Sequence, residues 1–250
     1  MMEMVNLLVV FFISIIAGSF GTLVGGGSLI TIPTLILLGL PPHTAIGTDR
    51  LGMTGIGSAG WYEFHKKRMI DYKIGFIIGV PTMLGALLGA NLVFQINEVI
   101  LKQAIAIITI LILFFIIFVK PKMGIEKTNH MVRNHEYLIG AVGSFFLGIY
   151  GGFYGAGTAT FLSYILILLF RQTFLECAAT VKIAALLMTA MAASIFAING
   201  AIRYSLAVPM FIGAFIGSYV GAHYSDKIGN VWIKRLFFVI VLTMAIKLLV

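Results

Sequence analysis

The sequence predicts an all-α integral membrane protein made of two inverted-topology repeats of about five helical segments each. Three observations lead to this prediction: the composition, a series of apolar runs, and a second half that resembles the first. Sixty per cent of the 250 residues are hydrophobic and 10% are charged, whereas about 25% of the residues in a soluble domain are charged. The composition therefore indicates a chain surrounded by the lipid bilayer.

The apolar runs give the expected segments in chain order. Most of the long runs reach the roughly 20 residues that cross a bilayer. They are 5–24, 44–61, 74–94, 99–118, 137–154, 174–198, 205–223 and 231–246. Two further runs, 28–40 and 158–170, contain 13 residues each and follow glycine clusters. A helix of that length covers only about 20 Å, so we expect short broken or re-entrant helices there.

The loop charges predict the orientation of the chain. Lysine and arginine are concentrated in segments 63–73, 120–136 and 224–235, and they are sparse at the opposite ends of the apolar runs. The positive-inside rule places these three segments in the cytoplasm and both termini outside. Because topology accounts for the net charge of +8, no nucleic-acid partner is expected.

The second half of the chain repeats the first. Residues 18–28 read GSFGTLVGGGS and residues 148–158 read GIYGGFYGAGT, with four glycines in register at an offset of 130. Each half contains five segments, an odd number, so the second half must enter the membrane in the opposite orientation. Inverted repeats with broken helices are typical of secondary transporters, whose substrate sites lie near the bilayer midplane. The expected organisation is a first membrane repeat (1–119), a cytoplasmic basic linker (120–136) and a second, inverted repeat (137–250).

The glycine clusters are expected to break the helices where the backbone lines a cavity, because irregular backbone is tolerated at membrane depth only there. Ser28 and Thr158 stand where the short helices begin, and their hydroxyls and the nearby N–H groups suit either a helix cap or an anion. For pairs spaced at i, i+4, such as Gly85 with Gly89 and Gly217 with Gly221, helix packing is the favoured interpretation. The glycines predicted to line the substrate site are Gly25, Gly26, Gly27, Gly155 and Gly157.

Two cations lie inside apolar segments. Arg50 and Lys182 occupy equivalent repeat positions at an offset of 132, and a charge at the bilayer centre costs at least about 2.5–3.5 kcal/mol. We expect them to reach from opposite sides toward one small anion. The alternative is that each side chain extends to its nearer interface. Thr48 and Thr180, two residues before each cation, either contact the anion or bond back to a helix carbonyl.

Asp49 has no acidic equivalent in the second half, where Val181 stands opposite. It is expected either to form a salt bridge with a basic residue or to carry a proton for coupling. The five histidines show no metal-ligand spacing, and no HExxH, GxSxG or Walker motif is present, so the sequence predicts neither an enzyme nor a cofactor or metal site.

The stretch GTLVGGGSLITIPTLILLGLPPHTAIGT, together with GFYGAGTATFLSYILILL and AATVK in the second half, resembles the TauE/SafE family of sulfite exporters over essentially the whole chain. The resemblance implies a bacterial or archaeal inner-membrane protein that moves sulfite, sulfonates or similar organosulfur anions. It fixes neither substrate nor direction, and the charged pair Asp49–Arg50 departs from the family pattern. The predicted function is a secondary transporter of a small sulfur-containing oxyanion, with export as the expected direction. An anion channel and proton-coupled uptake of small organic anions are the alternatives, and homodimerisation is left open.

Overall fold

The computed structural model describes residues 2–23, 25–118 and 133–225, and within these ranges every regular element is an α-helix. This confirms the predicted all-α class for the described residues. In chain order the helices are α1 (Met2–Leu23), α2 (Ser28–Leu37), α3 (Pro42–Lys66), α4 (Tyr72–Val93), α5 (Glu98–Phe118), α6 (Asn134–Phe153), α7 (Thr158–Phe170), α8 (Phe174–Ile198) and α9 (Tyr204–His223).

Five of these helices are long and apolar enough to cross a membrane: α1, α4, α6, α8 and α9. Helix α3 has 25 residues, but it contains Asp49, Arg50, Glu63 and five glycines and is less hydrophobic than the five. Most of its residues from Ala45 to Gly60 are buried. Because neighbouring helices cover α3, its polar side chains meet protein instead of lipid.

The helix bounds follow the predicted runs with small differences. Helix α2 ends at Leu37, three residues before the end of its apolar run, and α7 coincides with its run. Helix α6 begins at Asn134, so its first turn starts inside the segment predicted as the basic linker. The run 231–246 and residues 120–132 of that linker lie outside the described residues.

The first and second halves of the chain interleave. Helix α1 packs along α9, and α4 packs along α6, so each pair joins one helix from each half. Helix α3 contacts both α8 and α9. The site described below is therefore surrounded by helices from both parts of the sequence.

Glycines bring these helix pairs together. A Cβ atom added to Gly89 would fall on the carbonyl oxygen of Ile149, and one added to Gly217 would fall on that of Ile15. Gly85 and Gly221 meet the backbone of the same partner helices. The packing interpretation of these four glycines is confirmed, since the backbones approach more closely than any side chain allows.

Candidate functional site

Both glycine clusters interrupt a helix, as the sequence predicts. Helix α1 stops at Leu23 and α2 starts at Ser28; α6 stops at Phe153 and α7 starts at Thr158. Four glycines in the two breaks adopt the left-handed backbone conformation that residues with side chains rarely enter. Their φ angles are 79° at Gly25, 89° at Gly26, 74° at Gly155 and 78° at Gly157.

The two breaks meet in space, although about 130 residues separate them in the sequence. A Cβ atom on Gly25 would lie 2.5 Å from the hydroxyl oxygen of Thr160 and 2.8 Å from its backbone nitrogen. The first break therefore packs against the first turn of α7. We call the place where the two breaks meet the junction; it comprises residues 25–28 and 154–160 together with Arg50.

Arg50 links the two breaks. Its Nη2 donates to the hydroxyl of Ser28 at 3.0 Å, in the first turn of α2, and to the carbonyl of Tyr154 at 3.1 Å, at the end of α6. A Cβ atom on Gly155 would overlap Nη1 of the guanidinium. The side chain is only 1% exposed, so it does not extend to an interface.

Asp49 pairs with its neighbour Arg50. Its Oδ2 accepts from Nη2 of Arg50 at 2.6 Å and from the hydroxyl of Ser28 at 2.8 Å. Its Oδ1 accepts from the hydroxyl of Thr31. Asp49 thus forms the salt bridge that was one of its two expected roles, and the pair carries no net charge when both groups are ionised.

Part of the Arg50 guanidinium is unused. Nη2 forms all the hydrogen bonds that Arg50 makes with the described residues. Nε is buried and has no partner among these residues. An unsatisfied donor on a buried cation is costly, and it gives the junction the capacity to bind one more acceptor.

Lys182 lies elsewhere. Its Nζ donates to the carbonyl of Thr22, in the last turn of α1, at 3.1 Å, and its aliphatic chain covers Gly60 of α3. Gly60 lies about 15 Å farther along α3 than Arg50 at 1.5 Å per residue. Among the described residues the two cations share no hydrogen-bond partner, so the structure does not bring them together around one position.

The surroundings of Lys182 are polar but not acidic. The hydroxyl of Thr22 donates to that of Ser218 at 2.6 Å, and Ser218 donates to the carbonyl of Ile56 at 2.9 Å. Lys182 is 1% exposed and forms no salt bridge within the described part of the chain. Its buried amine therefore has no carboxylate partner there.

The remaining predicted site residues contact other parts of the protein backbone. The Thr48 hydroxyl accepts from the backbone N–H of Arg203 at 2.9 Å, and the Thr180 hydroxyl accepts from that of Asp71 at 3.2 Å. Neither contact is a bond back to a helix carbonyl, which was one of the two expected alternatives. Thr158 donates to the carbonyl of Gly155 at 2.9 Å. Gly27, the N-cap residue of α2, would place a Cβ atom 2.8 Å from the carbonyl oxygen of Ala17.

Sequence reasoning missed several residues of the site. Thr31 lies three residues after Ser28 on α2, and that spacing puts both hydroxyls on one helix face; this signal was available. Thr160 and the carbonyl of Tyr154 gave no comparable signal, because their roles depend on how α6 and α7 pack against the first half. Thr22 and Ser218 were visible only as polar residues in apolar runs.

The helices and the buried polar junction define a multi-pass membrane protein. The family model described as "Sulfite exporter TauE/SafE" matches residues 10–248. The chain therefore belongs to the TauE/SafE family, and it is a membrane transporter of that family.

Curated relatives carry names of the same kind. A "Probable membrane transporter protein" of Haemophilus influenzae is 31% identical over 208 residues, which cover 83% of this chain and 80% of that protein. "Probable membrane transporter protein ORF9" of a Sinorhizobium species is 29% identical over 240 residues, covering 96% of this chain and 90% of that protein. "Probable membrane transporter protein YdhB" of Bacillus subtilis is 26% identical, covering 94% and 95%. No solved structure matches the chain.

Proposed function

We propose that the protein is a secondary transporter that exports a small sulfur-containing oxyanion, such as sulfite or a sulfonate, and that the anion binds at the junction. One observation carries this proposal: the buried guanidinium of Arg50 lies where two interrupted helices meet, and its Nε has no partner among the described residues. The family name, sulfite exporter, supports the substrate class.

The chemistry of the junction suits an oxyanion. A guanidinium presents a planar fork of N–H donors that matches two oxygens of a carboxylate or phosphate, and sulfite offers a similar pair. Helices α2 and α7 both begin at the junction, and a helix N-terminus attracts an anion through its free N–H groups and its dipole. The hydroxyl of Ser28 lies next to Arg50, where it accepts from Nη2 and donates to Asp49.

We infer that Lys182 provides a second cation along the route. An uncompensated ammonium in a membrane-embedded helix is a functional candidate by default. Lys182 contacts α3 about 15 Å from Arg50 along the helix axis. This separation suits an anion that binds the two cations one after the other better than an anion that both cations hold at once. The hydroxyls of Thr22 and Ser218 lie beside it.

We infer alternating access from the predicted inverted repeat and from one pair of contacts. Thr48 and Thr180 are equivalent residues, and so are their partners Arg203 and Asp71, at the same offset of 132. Each threonine hydroxyl accepts from the backbone N–H of the residue that precedes a helix of the other half, α9 for Thr48 and α4 for Thr180. Such reciprocal contacts suit two halves that rock against each other around a fixed site.

The membrane potential is sufficient to drive export. An interior-negative potential favours anion efflux by about 2.3 kcal/mol per charge per 100 mV. Uptake would need a coupling ion, and Asp49 is the proposed proton carrier in that case. Sulfite-loaded proteoliposomes, compared with and without a proton gradient, test the coupling. If flux responds to voltage alone, the role of Asp49 as a proton carrier is wrong.

The experiment that tests the function is sulfite efflux from proteoliposomes containing wild-type protein or Arg50→Met. We expect saturable efflux from the wild type and at least a tenfold reduction in the variant, because one charge-assisted contact is worth about 1.5–3 kcal/mol. Arg133→Met is the matched control, because Arg133 is an exposed arginine outside the junction. Equal efflux from Arg50→Met and wild type would contradict the assignment of the site, and efflux without saturation would indicate a channel.

A further inference from the structure

We propose that Asp49 is a built-in competitor for the anion: its carboxylate occupies the position at Arg50 that the transported oxyanion takes, and it thereby sets the affinity and selectivity of the junction. This inference rests on the proposed function, because it requires Arg50 to bind the transported anion. It assigns Asp49 a role that differs from both a permanent salt bridge and a proton carrier.

The carboxylate of Asp49 lies among donor groups that suit an oxyanion. Asp49 accepts from the hydroxyls of Ser28 and Thr31, the first and fourth residues of α2, and from the guanidinium of Arg50. It is fully buried. A helix N-terminus, two hydroxyls and a guanidinium are the groups that a protein uses to bind an oxyanion. The Asp49 carboxylate therefore lies in a site that is suited to a small oxyanion.

The Asp49 carboxylate uses only part of the donor set of Arg50. Of the two carboxylate oxygens, only Oδ2 contacts Arg50, and only Nη2 of the guanidinium takes part. Neighbouring residues in a helix do not face each other, and Asp49 does not align both its oxygens with the fork of the adjacent Arg50. Nε stays buried without a described partner.

A diffusible oxyanion is free of this constraint. It can approach the guanidinium in its plane and accept two parallel hydrogen bonds, the stronger arrangement. Displacement therefore favours anions with at least two oxygens over monatomic anions such as chloride, which gain only one point of contact with the fork.

The test is Asp49→Asn in the full-length purified protein. The amide has nearly the same shape and keeps one acceptor oxygen, for the hydroxyl of either Ser28 or Thr31, which bond to different oxygens of Asp49. It lacks the charge that competes for Arg50. We expect sodium sulfite, titrated calorimetrically under anaerobic conditions, to bind about tenfold more tightly than to wild type, since one weakened charge-assisted bond corresponds to about that factor. We also expect the preference for sulfite over chloride to decrease.

The opposite sign would overturn the inference. If Asp49 only holds Arg50 in place, Asp49→Asn will weaken sulfite binding. Thr31→Val provides a second variant that changes neither Asp49 nor Arg50 but removes a hydroxyl that holds the Asp49 carboxylate in place. This variant should bind sulfite more tightly than wild type by a smaller factor, and weaker binding would again contradict the competitor role.

The two proposals fail in different ways. If wild type, Asp49→Asn and Arg50→Met all show no sulfite binding, the proposed function fails and the competitor role fails with it. If wild type binds sulfite, Arg50→Met does not, and Asp49→Asn binds more weakly than wild type, the function stands and only the competitor role is wrong.

Discussion

At the scale of single residues, the two buried cations differ in how their charge is balanced. Arg50 has an adjacent carboxylate, whereas Lys182 has only the carbonyl of Thr22 as a partner among the described residues. The side chain of each cation also donates to a carbonyl at the C-terminal end of an interrupted helix. Arg50 reaches the end of α6 and Lys182 reaches the end of α1. A positive charge is favourable at such a helix end. A structural role as a helix cap and a role in anion transport thus make different predictions for Lys182.

Lys182→Met separates these roles. We expect sulfite efflux to fall to background while thermal stability in detergent stays equal or rises, because replacing a buried charge by an apolar side chain of similar length is often neutral or stabilising. Lys102→Met, at an exposed lysine of α5, is the control. Normal efflux from Lys182→Met would show that Lys182 serves only to cap α1.

Single functional candidates were predictable from the sequence where a residue type is rare in its surroundings. Arg50, Lys182 and Asp49 were visible because charges are expensive in apolar segments. The pairing of Asp49 with Arg50 was one of two open interpretations. The partners of Thr48 and Thr180 were not predictable, because a bond to a backbone N–H more than 100 residues away depends on tertiary packing.

At the scale of elements, the sequence predicted both helix breaks, because glycine clusters and short apolar runs pointed to the same positions. It did not predict that the breaks touch, since the contact of Gly25 with Thr160 joins two separate parts of the chain. The glycine pairs of α4 and α9 were predictable as packing contacts from their spacing, but their partners α6 and α1 were not. The local sequence pattern predicts where a helix begins and ends, whereas its packing partners depend on the tertiary structure of the whole bundle.

Gly89→Ala and Gly217→Ala test the close packing of these helices. Each added methyl group would collide with a backbone carbonyl, of Ile149 or of Ile15, and backbone yields less readily than a side chain. We expect each variant to lose about 1–3 kcal/mol of stability, measured as a lower melting temperature in detergent. Gly143→Ala should melt like wild type, because its added methyl group would meet only the end of the Ile165 side chain. Unchanged melting of the first two variants would mean that the helices separate at little cost.

At the scale of the whole molecule, helices of the first half pack against helices of the second: α1 packs along α9, and α4 packs along α6. The reciprocal contacts of Thr48 and Thr180 follow the same pattern. The inverted orientation of the halves was inferred from parity and loop charge, and it remains a prediction. So does the placement of both termini outside.

Cysteine accessibility tests the inverted repeat. Lys73 and Ser205 are exposed residues at equivalent positions of the two halves, at an offset of 132. In a Cys177→Ser background, which removes the only native cysteine, we expect a membrane-impermeant maleimide applied to intact cells to label Ser205→Cys and to spare Lys73→Cys. Permeabilised cells, in which both should react, provide the control. Labelling of both positions in intact cells would place them on the same side and contradict the inversion.

The claim that an oxyanion binds at the junction is tested most directly by an experimental structure of the protein with selenite, whose heavier atom can be located by anomalous scattering. We predict a single selenium peak beside Arg50, with selenite oxygens within hydrogen-bonding distance of Nε of Arg50 and the hydroxyl of Ser28, and with the Asp49 carboxylate withdrawn from the guanidinium. A peak confined to other parts of the protein, with the Asp49–Arg50 pair unchanged, would contradict the account.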